Sequence, residues 1–180
     1  MSMLLPALLA ASQLAALPPP SSRVCSAVEV VAPAQKKATK KKRFSARETL
    51  DLQLRTYLKS SRRVSGDHLL HLKVYTPRGY LYQTITVPFY RKPLQSEKPR
   101  PEDLEYEPVR VVPGFPRALD VQKTTRVRLG RKRYDRVMAR LPVAGTSITL
   151  GSLFGRWTVV PFLDDGTAPC GQSRYFKILE

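Results

Sequence analysis

The chain has 180 residues with 42% hydrophobic content, room for one globular core plus tails, since domains commonly run to about 100–150 residues. Its 31 Lys and Arg against 14 Asp and Glu leave a formal charge of +17, which says nothing of fold but makes anionic surfaces the natural partners: nucleic acid, acidic polysaccharide, lipopolysaccharide or anionic lipid. Only two histidines and two cysteines are present, so no cysteine cluster of metal-ligand spacing can form, and no Gly-rich phosphate cradle occurs.

Residues 1–27 read as a signal-like segment. The run Met3-Leu4-Leu5-Pro6-Ala7-Leu8-Leu9-Ala10-Ala11 is too short and interrupted to span a bilayer and fits a cleaved secretion signal, although no Lys or Arg precedes it. Small-residue cleavage positions fall around Ser12, Ala16 or Ala27. Arg23 and Val24 before Cys25 do not fit a lipoprotein signal. Cleavage before Cys25 would let it pair with Cys170 in an oxidising compartment; cleavage after Ala27 would leave Cys170 alone. Residues 28–47 read as a basic disordered linker, because Lys36-Lys37 and Lys40-Lys41-Lys42-Arg43 repel one another and bury nothing.

Residues 48–180 carry the folded domain. Leu50, Leu52, Leu54 and Leu58 share one parity and Asp51, Gln53 and Arg55 the other, which predicts a half-buried strand. A helix is the competing reading of Ala46–Lys59, but leucines at every second position would be spread around it. After a turn at Ser65-Gly66-Asp67, the residues Leu70, Leu72, Val74 and Thr76 alternate again, and Pro77-Arg78-Gly79 supplies a tight turn. Leu81, Gln83, Ile85, Val87 and Phe89 predict the core face of the return strand. Residues 90–124 hold six prolines, at 93, 99, 101, 108, 113 and 116, and predict a long Pro-rich loop. Val109, Val111 and Val112 make one short edge strand within it, and Glu97, Glu102, Asp103, Glu105 and Glu107 are placed to fold back on the basic face.

The last third returns to strands. Thr125, Val127 and Leu129 precede a turn at Gly130–Arg133, followed by Val137, Ala139 and Leu141. In this hairpin Arg126, Arg128, Arg136 and Arg140 are expected on one outer face, with Arg131-Lys132-Arg133 at the tip. Ile148 and Leu150 begin a short segment, Gly155-Arg156 turns, Trp157–Leu163 is a hydrophobic strand, and Tyr175–Leu179 is the last strand.

Thr76-Pro77-Arg78-Gly79-Tyr80-Leu81-Tyr82, Leu141-Pro142-Val143-Ala144-Gly145-Thr146, Gly155-Arg156-Trp157-Thr158-Val159, Asp164-Asp165-Gly166 and Phe176-Lys177-Ile178 together resemble immunoglobulin-like, macroglobulin-type β-sandwich modules of bacterial exported proteins. The likeness runs over about Leu50–Leu179 in short motifs of a kind many sandwiches share. The Pro-rich insertion and the density of arginine depart from it. It implies an all-β fold, an immunoglobulin-like antiparallel β-sandwich, in which Trp157, Val159, Phe176 and Ile178 are structural. It also implies a binding, adhesive or spacer role with no catalytic residues.

The chemistry points the same way. His68 and His71 fall on opposite faces of a strand, where they do not chelate one metal. No Gly-x-Ser-x-Gly elbow is present, and Asp164-Asp165 before Gly166 reads as a turn and not as an acid–base pair. The expectation is a non-enzymatic, periplasmic or secreted module without cofactor or small-molecule substrate. Arg126, Arg128, Arg131, Lys132, Arg133, Arg136 and Arg140 would meet an anionic envelope polysaccharide, lipid or nucleic acid, or another envelope protein. The rival reading is an intracellular nucleic-acid-binding protein that uses Tyr80, Tyr82 and Tyr134 as stacking platforms.

Overall fold

The computed structural model describes residues 24–33, 43–59, 64–94, 106–165 and 167–180. Across them the two-residue period of the sequence becomes strand after strand. These are β1 (Cys25–Val31), β2 (Arg43–Ser45), β3 (Asp51–Lys59), β4 (Gly66–Tyr75), β5 (Leu81–Arg91), β6 (Val109–Arg110), β7 (Leu119–Asp120), β8 (Gln122–Lys123), β9 (Thr125–Leu129), β10 (Lys132–Pro142), β11 (Gly155–Leu163) and β12 (Arg174–Leu179). The segment expected around Ile148 is one turn of helix, α1 (Ser147–Leu150), capped by the Thr146 hydroxyl, which accepts from the Ile148 N–H. The fold is all-β.

A four-stranded sheet runs β1-β3-β10-β9 and a six-stranded sheet runs β2-β12-β11-β4-β5-β8, while β6 and β7 pair separately. Leu52, Leu54, Val137 and Leu141 on the first sheet and Leu72, Val74, Val159 and Phe176 on the second belong to one buried cluster. The two inner faces therefore form a sandwich. Each such side chain contributes about 1.5–3 kcal/mol on burial, so the alternation itself supplies most of the driving force for stacking. Trp157 sits in this core, wholly buried, with its indole N–H donating to the Leu153 carbonyl at 3.0 Å. It stacks on its cross-strand partner Phe176 and meets the edge of Tyr82 at 5.2 Å between ring centroids.

The β4–β5 hairpin turns where Pro77-Arg78-Gly79 predicts, with Gly79 at φ +86°. One register shift lies between Val74 and Tyr75, and it changes the expected faces. Leu81 is pushed outward and exposed, and Tyr82 takes the place against Trp157. Leu50 is also exposed, because β3 starts after it. Gly66 and Gly155 open strands instead of making turns. The ladders are antiparallel except at two sheet edges, where β2 and β8 pair in parallel. Both are strands of two or three residues that do not enter from a hairpin.

The folded unit begins earlier than residue 48. Val28, Val30 and Val31, in the segment expected to be a disordered linker, are buried in β1, and Phe44 of β2 packs edge-on against Phe176. Their local apolar alternation outweighs the charge beside it. Residues 1–23 of the signal-like segment and the lysines between 36 and 42 lie outside the described residues. Cys25 and Cys170 form a disulfide that closes a separation of 145 residues. Beside it the Cys25 N–H donates to the Cys170 carbonyl at 2.9 Å, and Gly171 lies so close that a Cβ there would overlap the Cys25 carbonyl. Cleavage after Ala27 would remove both Cys25 and the start of β1.

The stretch 90–124 is not one loop. β5 continues through Arg91, Val109 and Arg110 pair with Asp120 and Leu119, and Val112 and Val121 are buried. Val111 is exposed. Glu97, Glu102, Asp103 and Glu105 lie outside the described residues, and Glu107 is exposed.

Candidate functional site

The cationic hairpin forms as β9–β10, and its register decides where each cation points. Gly130, at φ +59°, and Arg131 make a two-residue connection that pairs Leu129 with Lys132, Arg128 with Arg133 and Arg126 with Asp135. Directly opposed residues share a face, so even positions of β9 lie with odd positions of β10. Arg126 and Arg128 therefore do not share a face with Arg136 and Arg140. They lie with Arg133 and Asp135 on the concave side, which continues the core face of Val137, Ala139 and Leu141. Lys132, Arg136 and Arg140 lie on the convex side with Tyr57 and Arg55. Arg131 is exposed at the tip. One predicted patch is thus two.

The two sides differ in chemistry. On the convex side Arg136 is half-buried opposite Tyr57, and Arg140 reaches toward Asp51 at 3.9 Å. The Tyr57 hydroxyl donates to Glu29 at 2.6 Å. Burial, then the hydrogen bond and negative charge of Glu29, push its pKa up to about 12, against the opposing pull of Arg55 and Arg136.

On the concave side the chain changes sheets. β8 is the edge of the six-stranded sheet and β9 the edge of the four-stranded one, and Thr124 alone separates them, its N–H donating to Tyr90 at 3.0 Å. The Gln122 side chain accepts from the Met138 N–H at 2.6 Å, which covers the β10 edge beyond the end of β9. Against this crossing Asp135 of β10 accepts from Arg91 of β5 at 2.9 Å and from Arg126 at 3.4 Å.

Here a cleft of about 780 Å³ opens, with Tyr90 and Tyr106 among its walls, Lys92, Lys123 and Arg126 around it and Asp135 in its lining. The two tyrosine rings lie 5.5 Å apart, Lys123 sits 4.0 Å over the Tyr106 ring, and the Tyr106 hydroxyl donates to the Val121 carbonyl at 3.2 Å. Its size falls in the range of ligand pockets, which are about 300–1,000 Å³. An aromatic wall with a cationic rim suits a ring that carries an anionic group. No family model matches the sequence, and no curated protein or solved structure is significantly similar to it.

Of the seven sequence-derived site residues, only Arg126 lines this cleft. Tyr90, Tyr106, Lys92 and Lys123 fell inside the stretch read as a loop. Parallel pairing of Tyr90 with Lys123 brings them together, and no local pattern announces it. Two of the three expected stacking tyrosines make ring contacts within the fold, and the third is exposed. Tyr82 packs on Trp157, Tyr134 meets Tyr57 edge-on, and Tyr80 stands exposed at a turn.

Asp164 is a turn residue at φ +55°. His68 Nδ1 lies 3.0 Å from its carboxylate, the Leu69 N–H donates to the same carboxylate at 3.0 Å, and His71 Nε2 lies 2.8 Å from its carbonyl. Burial raises the Asp164 carboxyl, but the His68 hydrogen bond and charge and the Leu69 amide outweigh that and hold it below the usual carboxylate range. Both histidines thus serve this turn. Among the described residues no group of three or more His, Cys, Asp or Glu is gathered for a metal.

Proposed function

We propose that this chain is an exported, non-enzymatic binding module of immunoglobulin-like β-sandwich type, akin to the macroglobulin-type modules of bacterial exported proteins. It presents a basic surface to an anionic partner at the cell envelope, in the periplasm or outside the cell. The observation that carries the reading is the β9–β10 hairpin. Arg128, Lys132 and Arg133 are exposed on a paired ladder with Arg131 at its tip, and among the described residues none has a carboxylate partner. A fixed scaffold lowers the ordering cost of binding, and guanidinium forks suit carboxylate and phosphate alike.

The Cys25–Cys170 crosslink supports export over the intracellular nucleic-acid reading, since structural disulfides persist in oxidising compartments. The test replaces Arg131, Lys132 and Arg133 together with Glu and measures retention on a carboxylated matrix across a salt gradient. Earlier elution with a flatter salt dependence is the expected result. Unchanged retention would retire the proposal. Mass spectrometry of the mature N-terminus checks export, for which processing ahead of Cys25 is expected.

A further inference from the structure

We infer that the concave side of the β9–β10 hairpin, and not its convex side, is the ligand-binding side, and that it takes a uronic-acid polysaccharide with one sugar ring in the tyrosine cleft. The inference rests on the proposed basic binding module and adds its side and its ligand class.

Several observations converge on that side. Arg126 and Arg128 stand two residues apart on one strand, about 7 Å along it, and Arg133 lies directly across from Arg128. Cationic heads therefore leave the cleft in file toward the tip. At the inner end of the file the lining changes from pure charge to Tyr90 and Tyr106 with Lys92 and Lys123 beside them. Tyr106 is anchored through its hydroxyl to Val121, so its ring is set before any ligand arrives. Arg126 is likewise oriented, since Asp135 accepts from its Nε while Arg91 holds the other carboxylate oxygen from within the core. A preset guanidinium and a preset ring lose little freedom on binding.

A sugar acid presents the complement of this arrangement: a C–H face for a tyrosine ring, a carboxylate for a guanidinium fork, and a chain that repeats both. Nucleic acid also combines rings with anions, and the disulfide decides between them by favouring an extracytoplasmic setting. On the convex side Arg136 and Arg140 instead face Tyr57 and Asp51.

Two variants that each remove two positive charges test the assignment. Lys123→Ala with Arg128→Ala weakens the concave side, and Lys59→Ala with Arg140→Ala weakens the convex side, where Lys59 lies opposite Tyr134. Calorimetric titration of the full chain uses hexagalacturonate, its methyl ester and a thymidine hexanucleotide, with thermal melts confirming that both variants fold. The concave variant is expected to bind hexagalacturonate about tenfold more weakly, the convex variant within about twofold of the parent, and the ester to lose binding. Equal weakening by both variants, or tighter binding of the oligonucleotide than of the uronate, overturns the inference. Neither outcome touches the tip-reversal experiment, which tests the basic module by itself.

Discussion

Arg91 and Asp135 meet at 2.9 Å with side chains only 1% and 3% exposed, joining β5 of one sheet to β10 of the other. A buried ion pair is a poor source of net stability, yet breaking one is costly because a desolvated charge loses its counter-charge. Asp135→Ala is therefore expected to destabilise by about 3–5 kcal/mol, read as a shift in the urea midpoint. Arg126 also reaches Asp135, but its side chain is 45% exposed, and Arg126→Ala should cost no more than about 1 kcal/mol. Similar losses for the two variants would contradict this division.

The crosslink between Cys25 and Cys170 spans 145 residues, and long closed loops restrict the unfolded chain most. Replacing both cysteines with Ser should lower stability by about 2–5 kcal/mol. Gly171→Ala attacks the same feature from outside, because its Cβ would overlap the Cys25 carbonyl. Free-thiol titration of the unfolded variant should find a fraction unpaired, whereas the parent should show none.

Asp164 gives the acid limb of stability. Its folded pKa is depressed, so its contribution is complete above the unfolded value of about 3.9 and is lost as pH falls through the lower folded value. Asp164→Asn should be less stable than the parent at neutral pH, with the gap closing in acid below about pH 3.9. A gap that stays constant to the acid limit would show that the carboxylate charge is not what matters there.

Tyr57 gives the alkaline limb. With its pKa pushed up to about 12, its stabilising share is complete below the unfolded value near 10 and disappears as pH rises through the folded one. In an absorbance titration of the eight tyrosines, one phenol should lag, and Glu29→Gln should bring it forward by removing the negative charge while leaving an amide oxygen to accept from the phenol. Ionisation of all the phenols together at ordinary values would remove the Glu29 account.

The contrast between the two hairpins shows what local sequence encodes. Pro77-Arg78-Gly79 fixes its own turn, and Trp157, Val159, Phe176 and Ile178 fix the core face of their strands, because side-chain period and turn chemistry act over a few residues. The faces of Arg126 and Arg136 depend instead on how many residues connect β9 to β10. A connection of two inverts the parity that reading along one strand suggests. The cleft is further from local rules, since Tyr90, Tyr106 and Lys123 meet through a parallel edge pairing that no turn signals. Val28, Val30 and Val31 were masked by the lysines after them, although burial follows the short alternation and not the average composition.

The sulfur bridge also sets how the molecule carries load. Tension applied to the segments flanking Cys25 and Cys170 passes directly from one sulfur to the other, so the strands from β1 to β11 lie off the line of force. Among the described strands β12 alone lies beyond the bridge and can be peeled away by pulling, and it is held by β11 on one side and by the short β2 on the other. Under strain the sandwich would lengthen by that one strand and then behave as an inextensible link.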